Sequence, residues 1–116
     1  MRLKSQRLFE INSSLEKLFS QQVDLPLSVG YAVFKKKKEI QDTCQYIADR
    51  ISMVIPAEHM QSNELSEDEL KIYDMILNSE IDIEPFGISA DELFSNNKVS
   101  LTLKEITDIM ELFPKN

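Results

Sequence analysis

The chain has 116 residues, 42% hydrophobic and 28% charged, with 20 acidic against 13 basic side chains and a net charge of −7. That length suits one domain, or one domain with an appended subdomain, and the balance excludes the low-hydrophobicity, high-charge composition of a disordered chain. The single cysteine, Cys44, excludes an internal disulfide, and with a single histidine, His59, a Cys/His zinc site is excluded as well.

Only Gly30 and Gly87 occur as glycines, while Leu, Ile, Lys and Glu are abundant. This favours helices over a turn-rich sandwich or barrel. Charges interrupt the apolar residues of the opening MRLKSQRLFEI, so no signal-peptide core is read there. No apolar run approaches the roughly 20 residues that span a bilayer. The expected location is a cytoplasm, with no membrane contact.

Charge is unevenly shared. Residues 1–55 hold nine Lys/Arg against six Asp/Glu, a balance of +3, and residues 56–116 hold four Lys against fourteen Asp/Glu, a balance of −10. An acidic second half repels phosphate backbones and argues against nucleic acid as its partner.

Leu8, Ile11, Leu15 and Leu18, with Phe19 beside them, recur at three- and four-residue spacing and predict a helix over about 6–22. Ser13 and Glu16 also match a capping box, which would start the helix later, but the stripe running back through Leu8 favours the longer element. Val23-Asp24-Leu25-Pro26 reads as a turn, with Asp24 as N-cap and Pro26 in the first helical turn. Val33, Ile40, Ile47 and Val54 then stand seven apart, with Cys44 and Ile51 filling in. They predict a coiled-coil-like seam over 27–55 and hence an antiparallel αα-hairpin. Lys37 falls on that seam, so either the seam weakens there or the lysine stem snorkels past its neighbour.

After Pro56 and a polar loop, Ser66-Glu67-Asp68-Glu69 is a capping box that opens a helix over 67–78. Ile81-Asp82-Ile83-Glu84 alternates with period two and reads as a strand. Val99 and Leu101 alternate likewise and are its expected partner, across a helical turn opened by Ser89 and Glu92. Thr102 and Glu105 cap a last helix bearing Leu103, Ile106, Ile109, Met110 and Phe113, stopped by Pro114. The expected fold is α+β and mainly α: a long antiparallel αα-hairpin (1–55), then a small acidic subdomain (56–116) with a helix, a short two-stranded ribbon and a C-terminal helix.

The motifs favour binding over catalysis. Four successive helical residues, Lys35, Lys36, Lys37 and Lys38, point in four directions and make no flat stripe. The acidic clusters around Glu67, Asp68 and Glu69, and around Asp82 and Glu84, lack the central glycine of a calcium loop. These nine residues are the expected interaction surface. Cys44 reads as an inert core thiol. His59 has no second histidine or adjacent nucleophile in the sequence, and no nucleophile elbow, phosphate-cradling loop or HExxH motif occurs. No catalytic residue, cofactor or metal is expected.

In the order of its elements the chain resembles an uncharacterised family of small bacteriophage proteins. The likeness rests on Leu25-Pro26, Tyr31 followed by Lys35 to Lys38, Glu80 to Glu84, and Leu101-Thr102-Leu103 through Phe113-Pro114. It implies a phage genome origin and a part in virion assembly or host takeover, and it carries no functional residue over. The expected function is a non-enzymatic interaction module that assembles with itself or binds another protein. The alternative is an acidic inhibitor of a host defence or nucleic-acid-binding enzyme.

Overall fold

The computed structural model describes residues 1–95 and 98–114. It is a mainly helical α+β fold built on a helical hairpin. The first helix, α1 (Ser5–Phe19), turns Leu8, Ile11, Leu15 and Leu18 fully inward. A 3-10 turn at Gln22–Asp24 follows, and α2 (Leu27–Val54) returns along α1. Its buried face carries Val29, Val33, Ile40, Cys44 and Ile47. Asp24 does not cap α2. It lies in the 3-10 turn, and Pro26, fixed near φ −54°, supplies the extended residue from which the helix departs.

At 28 residues α2 is almost twice as long as the 15-residue α1, so it overhangs by several turns. The seam read from the sequence therefore fades before its expected end, and Val54 is half exposed. The overhang is packed by α4 (Glu67–Asn78), which contacts both hairpin helices. Between them, the stretch read as a polar loop contains a short helix, α3 (Ala57–Ser62). It leaves Pro56 and ends at Asn63 in the left-handed conformation, φ 58°, both ordinary helix boundaries.

The ribbon forms, but with a different partner. Strand β2 (Glu80–Asp82) pairs antiparallel with β1 (Arg2–Lys4), in register Arg2 to Asp82, Leu3 to Ile81 and Lys4 to Glu80. Leu3 and Ile81 pack inward against the core, while basic residues stand opposite acidic ones on the other face, a favourable cross-strand pattern. The extended segment at Val99–Leu101, expected to be the second strand, satisfies its backbone otherwise. The Gln21 side-chain amide donates to the Ser100 carbonyl at 2.9 Å and accepts from the Ser100 N–H at 2.6 Å. One glutamine thus substitutes for a strand neighbour.

The three capping boxes at Ser66/Glu69, Ser89/Glu92 and Thr102/Glu105 all form, opening α4, α5 (Ala90–Phe94) and α6 (Leu103–Met110). The apolar stripe of α6 and the turn that follows it is only partly used: Ile109, Leu112 and Phe113 are buried, whereas Leu103 stands out in solvent. The helix packs on α1. Phe113 stacks on Phe86 at 5.0 Å, and the Phe86 N–H donates to the Leu112 carbonyl at 2.8 Å. One hydrophobic cluster joins Leu8 and Ile40 to Ile83, Leu93 and Ile109, drawing on residues from both sides of Pro56.

Candidate interaction surface

The four lysines, adjacent in sequence, do four different things. Lys36 is only 6% exposed, on the inner side of α2. Its Nζ donates to Glu39 Oε2 at 2.8 Å and to the Glu84 carbonyl at 2.5 Å, so a buried ammonium is matched by acceptors as its desolvation requires. Lys37 lays its stem toward Phe19, with Nζ 5.0 Å from the ring centroid and 3.4 Å from Glu16. This is the snorkelling expected of a lysine at a seam position. Lys35 lies over the Tyr31 ring at 5.0 Å, and Lys38 stands 3.8 Å from Asp42, both side chains in solvent. The run therefore contributes two outward cations, Lys35 and Lys38, and no basic plate.

The acidic candidates are dispersed in the same way. Glu69 accepts from the Ser66 N–H at 3.0 Å and meets His59 Nδ1 at 2.9 Å. The Ser66 backbone bond first, and the His59 contact second, hold its carboxyl below the usual carboxylate range. Asp82 faces Arg2 across the ribbon and lies 3.2 Å from the Met1 amino nitrogen. Glu84 lends its carbonyl to Lys36, and Glu67 and Asp68 stay exposed in the first turn of α4. Four of the nine residues, Lys36, Lys37, Glu69 and Asp82, are thus engaged in contacts within the chain, Asp82 with its side chain still largely exposed, and the nine are spread over α2, α4 and the segment around β2.

Among the described residues the His59–Glu69 pair is the contact between a histidine and a carboxylate, the pairing that acid–base chemistry uses. Its histidine side chain is 45% exposed at the corner between α3 and α4, and its carboxylate is committed to the helix cap. Cys44 is buried on α2, where loss of solvation pushes its thiol up to about 11 and keeps it protonated at neutral pH. A second charged cluster ties α1 to α6. Arg7 donates to Asp108 at 2.7 Å and to Glu111 at 2.8 Å and also binds Glu10, and the Ser14 hydroxyl donates to Asp108 at 2.7 Å. Asp108 is 3% exposed, so this network is a packed fastening. Burial alone would make Arg7 easier to deprotonate, but its carboxylate bonds outweigh that and raise its pKa. Among the described residues no group of three or more His, Cys, Asp or Glu side chains could hold a metal ion, and no helix is long and apolar enough to cross a membrane.

What the charge pattern did not announce is apolar. At the turn of the hairpin Val23 is 88%, Leu27 91% and Tyr31 59% exposed. Phe34 stacks on Tyr31 with ring centroids 6.2 Å apart, and Phe19 lies the same distance behind Phe34. Leu27, Tyr31 and Phe34 are spaced four and three apart and so stand on one side of α2, away from the core. The spacing of four and three carries this second stripe in the sequence, beside the stronger seam. A separate apolar groove of about 600 Å³ lies where α1 and α2 meet α3 and α4, lined among others by Phe9, Ile55, Met60 and Tyr73.

Compared with known proteins, the chain matches no family model, no curated protein and no solved structure.

Proposed function

We propose that this chain is a non-enzymatic protein-interaction module whose contact surface is the outward face of α2, centred on the apolar end of the hairpin. One observation carries the reading: Val23, Leu27 and Tyr31 are largely exposed side by side, with Phe34 stacked behind them. Isolated apolar residues are ordinary on a protein surface, whereas a contiguous aliphatic and aromatic cluster edged by Lys35 and Lys38 has the make-up of a binding patch, an apolar centre with a charged rim. The aromatic rings already pack on one another, so little side-chain freedom remains to be lost on docking. Participation in virion assembly or host takeover is the setting that the resemblance to phage proteins implies.

The acidic-inhibitor reading draws less support, because Glu69 is committed to the α4 cap and the outward carboxylates, Glu67, Asp68, Asp82 and Glu84, are divided between the start of α4 and the segment around β2. The test is proximity cross-linking in the producing cells, with partners identified by mass spectrometry. Replacing Leu27 and Tyr31 together by Glu should remove the cross-linked partners while leaving the melting temperature unchanged. Retention of the partners by that variant would defeat the proposal.

A further inference from the structure

Resting on that reading of the outward face of α2, we infer that the partner is a second copy of this chain, bound through α2 against α2 in antiparallel orientation about a two-fold axis opposite Ile40. In a helix successive residues are about 100° apart. On that scale Leu27, Tyr31, Phe34, Lys38, Asp42, Tyr46, Asp49 and Met53 all fall within roughly 60° of the direction facing away from Ile40. Ile40 itself is fully buried. The buried residues Val29, Val33, Cys44 and Ile47 stand on the other side, against the rest of the molecule.

The outward stripe therefore runs the whole length of the helix, with apolar groups toward both ends and opposite charges at its middle. Leu27 and Tyr31 are exposed at one end, and Tyr46 and Met53 are 61% and 75% exposed at the other.

This order is self-complementary when the helix is reversed. A two-fold axis at the level of residue 40 sets Leu27 level with Met53 of the second copy and Phe34 level with Tyr46 of the second copy. It sets Lys38 level with Asp42 of the second copy, and each of these contacts occurs twice, as an isologous interface requires. Lys38 and Asp42 are each more than two-thirds exposed and already lie 3.8 Å apart within the chain. Pairing two copies closes them into a ring of four alternating charges. Parallel pairing in register would instead place Lys38 beside Lys38 and Asp42 beside Asp42, so the charges also select the direction. Lys35 comes within one turn of Asp49 of the second copy and extends the same complementarity outward.

Sedimentation velocity over a range of protein concentrations, at low and high salt, tests this with charge-swap variants. The wild type should form dimers that weaken as salt rises. Lys38→Asp places four carboxylates at the centre, Asp42→Lys places four ammonium groups there, and each should raise the dimer dissociation constant about tenfold or more. Both positions are exposed, so circular dichroism should match the wild type, and so should melting at protein concentrations low enough for the wild type to be monomeric. Mixing the two variants should restore a one-to-one heterodimer, and combining both changes in one chain should restore the homodimer.

A wild type that stays monomeric at every concentration overturns the inference. So does a dimer indifferent to both reversals, or a pair of weakened variants that do not recover on mixing. The broader reading is judged separately. A monomeric wild type whose cellular partners are still lost in the Leu27→Glu, Tyr31→Glu variant would end self-pairing and leave the interaction module standing, whereas retention of those partners as well would end both.

Discussion

Lys36 shows how a charged residue becomes structural. It sits among valines and isoleucines on the inner face of α2, and its ammonium is held by Glu39 and by the carbonyl of Glu84, 48 residues away. The second bond fastens the chain that follows the ribbon onto the hairpin. Truncation to Ala would remove both the apolar stem and the donor and leave the Glu84 carbonyl unpaired. Lys36→Ala should therefore cost about 3 kcal/mol, and Lys36→Met, which keeps the stem, about 1–2 kcal/mol. Urea denaturation checks both values, and a loss near zero for Lys36→Ala would show that the ammonium is not desolvated as described. Lys38, two residues on and in solvent, should by contrast tolerate Ala within about 0.5 kcal/mol.

At the scale of elements, helix starts are governed by local capping and the positions of the strands are not. Ser66/Glu69 and Thr102/Glu105 form reciprocal boxes in which the carboxylate accepts the N-cap backbone N–H. Glu69 is held low by the Ser66 N–H and then by His59, and Glu105 by the Thr102 N–H. A carboxyl depressed in the folded state contributes stability that is present above its unfolded value, near 4.5, and is lost as pH falls through the folded value. In that window the unfolded chain binds more protons, so stability rises with pH. Chemical denaturation followed across acid pH should show this slope, and Glu69→Gln combined with Glu105→Gln should flatten it. An unchanged slope would mean that other carboxylates govern the acid limb.

At the scale of the whole molecule, the described residues share one core, although charge divides the chain into a basic and an acidic half. The cluster passes from Leu15 and Val33 in the hairpin to Phe86, Leu93 and Leu112 beyond Pro56, and the largely buried Arg7–Asp108 network binds the two halves beside it. Such continuity predicts a single cooperative transition. Cys44 supplies a reporter, because burial raises its thiol to about 11 and removes it from reagents. In native buffer its reaction with a disulfide reagent should be at least about a hundredfold slower than that of a free thiol. Through urea, the reactive fraction should rise together with the loss of helical signal. Thiol exposure well before the helix loss would show that the hairpin opens independently of the acidic half.

Much of this architecture was legible along the chain. Helix α4 was readable to its end residues, and α1, α2 and α6 to within a few, because apolar spacing and capping boxes act over three or four residues and are written in the sequence directly. The charged candidates were readable as residues but not as a surface. What only tertiary structure decided were contacts whose partners lie tens of residues apart: β2 pairing with Arg2–Lys4 instead of Val99–Leu101, Gln21 closing the backbone of Ser100, and Lys36 turning inward while Lys37 bridges to Glu16. Each depends on which groups the folded hairpin brings within hydrogen-bonding distance, and a buried polar group takes whichever partner is there. The exposed side of α2 was settled in the same way, because both its faces carry apolar residues and only the packing of α1 and α4 determines which is covered.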